Sequence, residues 1–64
     1  MNNSNFTAHE IADIEHAIVE YIGHINEAIR IEKNAGENSS KHYITLLNNE
    51  KYRYQIILNK VREG

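Results

Sequence analysis

A single interruption organises the sequence. Gly36-Glu37-Asn38-Ser39-Ser40 is the only convincing break in an otherwise helical pattern, and neither flanking segment contains a proline or a useful run of strand-like alternation. Before the break, a step of about 100° per residue gathers Ile11, Ile14, Ile18, Ile22, Ile25 and Ile29 into one stripe, with Tyr21 and Ala28 at its edge. After it, Tyr43, Leu47, Tyr54, Ile57 and Val61 form a second stripe, flanked by Leu46 and Leu58 and containing one carboxylate, Glu50. Two amphipathic helices joined by five turn residues can bury their stripes by folding back on each other. The expected fold is all-α: an antiparallel two-helix hairpin in a single domain, 1–64. It has a disordered tail at 1–5, a helix at about 8–35, a turn at 36–40 and a helix at about 41–62.

The helix ends carry their own signals. Thr7 and Glu10 have the spacing of a capping box, and Phe6 and Ile11 occupy the positions of a hydrophobic staple, so the first helix starts just after Thr7. Gly36 suits the left-handed residue after the helix, with Arg30 and Lys33 complementing the negative end of the dipole. Ser39 or Ser40 caps the second helix. Gly23, inside the first helix, costs about 1 kcal/mol relative to alanine, and admits either a close helix crossing or a mild kink.

Charge reinforces the topology. Residues 1–38 hold seven acids against Arg30 and Lys33, a balance of −5, whereas in 39–64 Lys41, Lys51, Arg53, Lys60 and Arg62 oppose Glu50 and Glu63, a balance of +3. Antiparallel packing sets the acidic start of the first segment beside the basic end of the second.

A chain of 64 residues buries only about 60% of the surface it exposes when unfolded, and without cysteine it has neither a disulfide nor a thiolate zinc site to compensate. Oligomerisation is the remaining remedy. A secondary strip, Ala17, Tyr21, Ala28 and Ile31, and the pair Tyr52 and Ile56 on the far side of the second helix also stay uncovered in a lone hairpin. The expectation is a homodimer, a four-helix bundle. The N-terminus lacks a signal-peptide pattern, and no apolar run approaches the roughly 18 residues of a membrane span, so a cytoplasmic protein without membrane contact is expected.

Candidate chemistry is sparse. His9, Asp13, His16 and Glu20 recur at i, i+4, i+7 and i+11 on one helix face, a spacing that can chelate zinc, but a solvated polar face is the better account and no metal site is assigned. Glu50 within an apolar stripe must be paired or hydrogen-bonded; contact with a tyrosine hydroxyl or a base, setting helix register, accounts for it better than catalysis. Lys51-Tyr52-Arg53-Tyr54 mixes base and aromatic in a way that can stack on nucleobases, yet too few bases gather for a nucleic-acid footprint. Tyr52, Arg53 and Ile56 are better assigned to a partner-binding or dimer patch. No catalytic residue, enzymatic activity or cofactor is expected.

The layout Phe6-Thr7-x-x-Glu10, an acidic isoleucine-rich helix, a Gly/Asn/Ser turn, then Tyr43-x-x-Leu46-Leu47 and Tyr52-Arg53, resembles the small helical-hairpin antirepressors of the AbrB-antagonist type from spore-forming Firmicutes or their phages. That resemblance implies an acidic dimeric hairpin that occupies a regulator's DNA-binding surface. The abundance of Asn, Ile, Lys and Glu also resembles phage and mobile-element proteins, a class rich in inhibitors of defence and transcription. The expected function is that of a non-enzymatic inhibitor of a transcription regulator or phage-defence protein. The acidic face of Glu10, Asp13, Glu20 and Glu27 would compete with nucleic acid for it. The alternatives are a dimeric RNA-binding bundle using Lys51, Tyr52, Arg53, Lys60 and Arg62, and a purely structural dimerisation module.

Overall fold

The computed structural model describes residues 5–63. Of the tail expected at 1–5, residues 1–4 lie outside the described residues, and Asn5 belongs to the turn that leads into the first cap. Helix α1 spans Ala8–Lys33 and helix α2 spans Lys41–Glu63, with one turn of 3-10 helix, Gly36–Asn38, between them. The two helices pack antiparallel into a hairpin measuring 49 × 17 × 12 Å. At 12 Å the short dimension is one helix thick. No helix among the described residues is long and apolar enough to cross a membrane.

α1 begins as its capping box dictates. The Glu10 amide donates to Thr7 Oγ1 at 3.1 Å and the Thr7 amide donates to Glu10 Oε1 at 2.8 Å, satisfying two backbone donors reciprocally. Phe6 stays exposed, so the staple position encloses little of its ring. The helix ends at Lys33, two residues before the boundary expected at 35. There the Ala35 amide reaches only to the Glu32 carbonyl, three residues back, and this tighter last turn hands the chain to Gly36 at φ +63°. Gly36 thus supplies the positive φ that its position suggested, two residues further from the helix end than expected.

Ser40, rather than Ser39, caps α2: its hydroxyl oxygen accepts from the Tyr43 amide at 3.1 Å. A second oxygen arrives from across the turn. Glu32 Oε1 accepts from the Ser40 amide at 2.7 Å, so the last full turn of α1 places a carboxylate on the positive end of α2 and pins the connection.

Burial follows the expected stripe in α1 and departs from it in α2. Ile18, Ile25 and Ile29 are buried, while Ile11, Ile14 and Ile22 are half-buried. On α2 the line facing α1 runs through Ile44, Leu47, Tyr54, Leu58 and Val61, of which Leu47 and Leu58 are buried. Tyr43 and Ile57, expected in this stripe, are exposed; Ile44 and Leu58 take their places. The cause is local degeneracy. Tyr43-Ile44, Leu46-Leu47 and Ile56-Ile57-Leu58 each offer adjacent apolar residues about 100° apart, so two arcs of the helix are almost equally apolar. Packing of Ile44 against the cluster of Leu47, Ile25 and Ile29, supported by Ala28 and Tyr54, selects one of them.

At the open end, Arg62 Nε donates to Glu15 Oε2 at 3.2 Å, joining the acidic start of the chain to its basic end as the charge balance anticipated. Gly23 lies in open space within an unbroken α1, with nothing within 4 Å of the position a Cβ would take, so it marks no helix crossing in this hairpin.

Candidate interaction surfaces

Two helices side by side divide their remaining surface into two broad faces and two outer edges. One broad face is apolar. On α1 it carries Ala17, Tyr21, His24, Ala28 and Ile31, whose steps of four and three keep them on one flank of the contact line. On α2 it carries Tyr43, Leu46, Glu50 and Ile57, by the same periodicity. Both flanks are displaced from the contact line in the same rotational sense, which on antiparallel helices puts them on the same side of the hairpin. The Tyr21 hydroxyl, donating to Glu50 Oε2 at 2.9 Å, bridges them. Tyr21 is 40% exposed, Ile31 58%, Leu46 51% and Ile57 44%, a concentration of exposed apolar side chains of the kind that marks interaction sites.

The opposite broad face is polar. Asn26 and Arg30 of α1 and Asn48, Gln55 and Asn59 of α2 are all exposed there, with Val19 as the large apolar exception.

Glu50 sits at the centre of the apolar face with the tyrosine partner that the sequence suggested. Tyr21 leans its ring on Tyr54, centroids 4.7 Å apart and tilted by 58°, and its hydroxyl points at the carboxylate. The hydrogen bond to Glu50, then partial burial, then the carboxylate's negative charge hold the Tyr21 hydroxyl above the ordinary tyrosine range. This links the middle of α1 to the middle of α2, 29 residues apart in sequence.

Of the acids proposed for partner binding, Asp13, Glu20 and Glu27 lie on the outer edge of α1, whereas Glu10, one heptad before Ala17, lies on the flank of the apolar face; all four are exposed. Their engagements differ. Glu10 is committed to the capping box, and Glu27 to Arg30, whose Nε lies 3.1 Å from its Oε2 and whose terminal nitrogen also pairs with it. Those hydrogen bonds, with the attraction of the guanidinium, hold the Glu27 carboxyl below its ordinary range and the Arg30 guanidinium above its own. Glu20 lies 3.2 Å from His16 Nε2 on the next turn. Asp13 completes the edge on the same exposed side. Among the described residues no three His, Asp or Glu side chains converge to hold a metal ion; the His9, Asp13, His16 and Glu20 series runs along the helix instead of around a point.

The outer edge of α2 holds Tyr52, 66% exposed, and Ile56 one turn on, with Arg53 beside them. They face away from α1. Of the bases considered for RNA, Arg62 is engaged by Glu15 and Lys51 is half-buried, while Arg53 and Lys60 lie between the outer edge and the apolar face. The basic side chains are thus dispersed around α2.

The reversed roles of Tyr43 and Ile44, and of Ile57 and Leu58, conceal the apolar face from a reading that puts Tyr43 and Ile57 in the hairpin core. The signal that reveals it is the second heptad-like spacing, 17-21-24-28-31 on α1 against 43-46-50-57 on α2. Compared with protein-family models, curated proteins and solved structures, the chain matches none.

Proposed function

We propose that this protein is a non-enzymatic inhibitor or regulator that acts as a homodimer and binds another protein, a transcription regulator or phage-defence factor, on a basic surface that otherwise holds nucleic acid. What supports the reading is the outer edge of α1, where Asp13, Glu20 and Glu27 stand exposed in one row over the length of a rigid helix. Such a row offers negative charges at fixed intervals, as a phosphate backbone does. Charge of this kind mainly sets association rate and partner choice, while the apolar patch of Tyr52 and Ile56 can add the slow dissociation that charge alone does not give.

The test is affinity capture with tagged protein from its own cellular background, identification of the bound protein, and titration of the purified pair over a range of salt. Binding should weaken several-fold between about 0.05 and about 0.5 M salt as screening shortens the reach of the charges. Replacing Glu27, the acid of the row that takes no part in self-association, by lysine should weaken competition with nucleic acid for the same surface. Affinity indifferent to both changes refutes the acidic-edge mechanism.

A further inference from the structure

The apolar broad face and the polar one opposite differ enough to ask what covers the first, and the charged rims answer. We propose that a second copy of this chain seats on the Tyr21, Leu46 and Ile57 face, each α1 lying over the partner's α2, with both turns at the same end of the four-helix bundle. The inference rests on the self-association in the functional reading above and goes beyond it by fixing the face, the symmetry axis and the rim contacts.

The first argument is apolar content: Tyr21, Ile31, Leu46 and Ile57 stand 40%, 58%, 51% and 44% exposed on this face, where a partner would take them out of water. The polar face, with Asn26, Asn48, Gln55 and Asn59, has no comparable apolar content.

The second argument decides between the two ways of stacking hairpins face to face. A two-fold axis across the helices sets α1 on the partner's α1 with the turns at opposite ends, so the rim bearing Asp13 and Glu20 meets its own copy. A two-fold axis along the helices sets α1 on the partner's α2. Residue height is then preserved, and the contacts within one chain report it: Glu15 meets Arg62, and Tyr21 lies level with Glu50 and Tyr54. By that register Asp13 comes level with the partner's Lys60, and Glu20 with the partner's Arg53. On both helices these residues lean from the apolar face toward the outer edge, so they meet at the rim, and symmetry repeats each pair on the other edge. Opposite charge at both rims favours the axis along the helices, and like charge opposes the alternative. Within a single hairpin Glu20 and Arg53 sit on opposite outer edges.

Three measurements test this on the full chain. Sedimentation should give a dimer; a monomer at all accessible concentrations overturns both this inference and the self-association it rests on. The chain has no cysteine, so Asn38→Cys in the exposed turn gives one spin label per copy. Electron-spin distance measurement should place the two labels within about 20 Å, given helices packed about 10 Å apart. A separation near 40 Å, the length of α1 at about 1.5 Å per residue, overturns the arrangement and leaves the dimer standing. Finally, Arg53→Glu should weaken the dimer several-fold, and adding Glu20→Arg should restore it. Failure of the second change to restore association excludes the rim pair.

Discussion

Leu58 and Ile57 are neighbours in sequence, similar in size and equally apolar, and the hairpin treats them oppositely. Leu58 is 7% exposed against α1, whereas Ile57 is 44% exposed on the broad face. Truncating a buried leucine to alanine costs about 2–5 kcal/mol, and in a core one helix thick, where the site can partly collapse, the lower end applies: about 2–3 kcal/mol for Leu58→Ala. An isoleucine that keeps nearly half its surface in water loses less, about 1 kcal/mol for Ile57→Ala within a single hairpin. For a chain of this size these correspond to a fall in melting temperature on the order of 10–20 °C for Leu58→Ala and roughly 5 °C for Ile57→Ala. The assay is thermal unfolding followed by helical circular dichroism, repeated over a wide dilution series. At high dilution Leu58→Ala should be much the more harmful; as concentration rises, the Ile57 variant should lag behind the parent in gaining stability, because Ile57 lies on the face proposed to be covered. Equal losses for the two variants in the dilute chain refute the orientation assigned to α2. Ile57 would then face α1, as the stripe of Tyr43, Leu47, Tyr54 and Ile57 implies.

Three further outcomes follow from local geometry. Gly23→Ala should stabilise the chain by about 0.5–1 kcal/mol, since the position is helical and unobstructed, whereas Gly36→Ala at φ +63° should cost about 1–2 kcal/mol; thermal melts of the pair read the opposite signs. Thr7→Ala should cost about 1 kcal/mol by removing the hydroxyl from the Glu10 amide, and Thr7→Ser should largely retain it, as urea titration can show. Tyr21 should form its phenolate above the ordinary value of 10.0, since its hydroxyl donates to the Glu50 carboxylate. A raised folded-state pKa stabilises the protonated form, so this contribution is full below about pH 10 and is lost as pH rises through the folded value. Ultraviolet titration of the parent and Tyr21→Phe should show a phenolate step above that ordinary value in the parent and its loss in the variant.

Much of the hairpin was legible because its signals are short-range. The capping box, the left-handed glycine and a serine before α2 each act within a few residues, and the structure places Thr7, Gly36 and Ser40 in those roles. The isoleucines of α1 were equally clear, since their stripe is flanked mainly by acids, histidines and small residues. Charge balance anticipated the antiparallel sense that Glu15 and Arg62 now exhibit. Less legible were the outer edges, because position on a helix shows which acids share a side but not which are engaged. Glu10 and Glu27 have local partners, and Glu20 has His16 on the next turn, so the row is less free than its charge count suggested.

The sequence by itself determined that two amphipathic helices form, where each begins and where the chain reverses, because those outcomes depend on neighbours within a turn or two. Tertiary structure decided which arc of α2 meets α1. Ile44 and Leu58 face the isoleucine stripe, while Tyr43 and Ile57 join Tyr21, Ala28 and Leu46 outside. Hydrophobicity could not choose between two arcs of nearly equal apolar content. The choice came from the packing of Ile44 against the cluster of Leu47, Ile25 and Ile29, and from the Tyr21 to Glu50 hydrogen bond, a contact between residues 29 apart that no local pattern encodes. The same rotation that closes the small core therefore leaves a second apolar face uncovered.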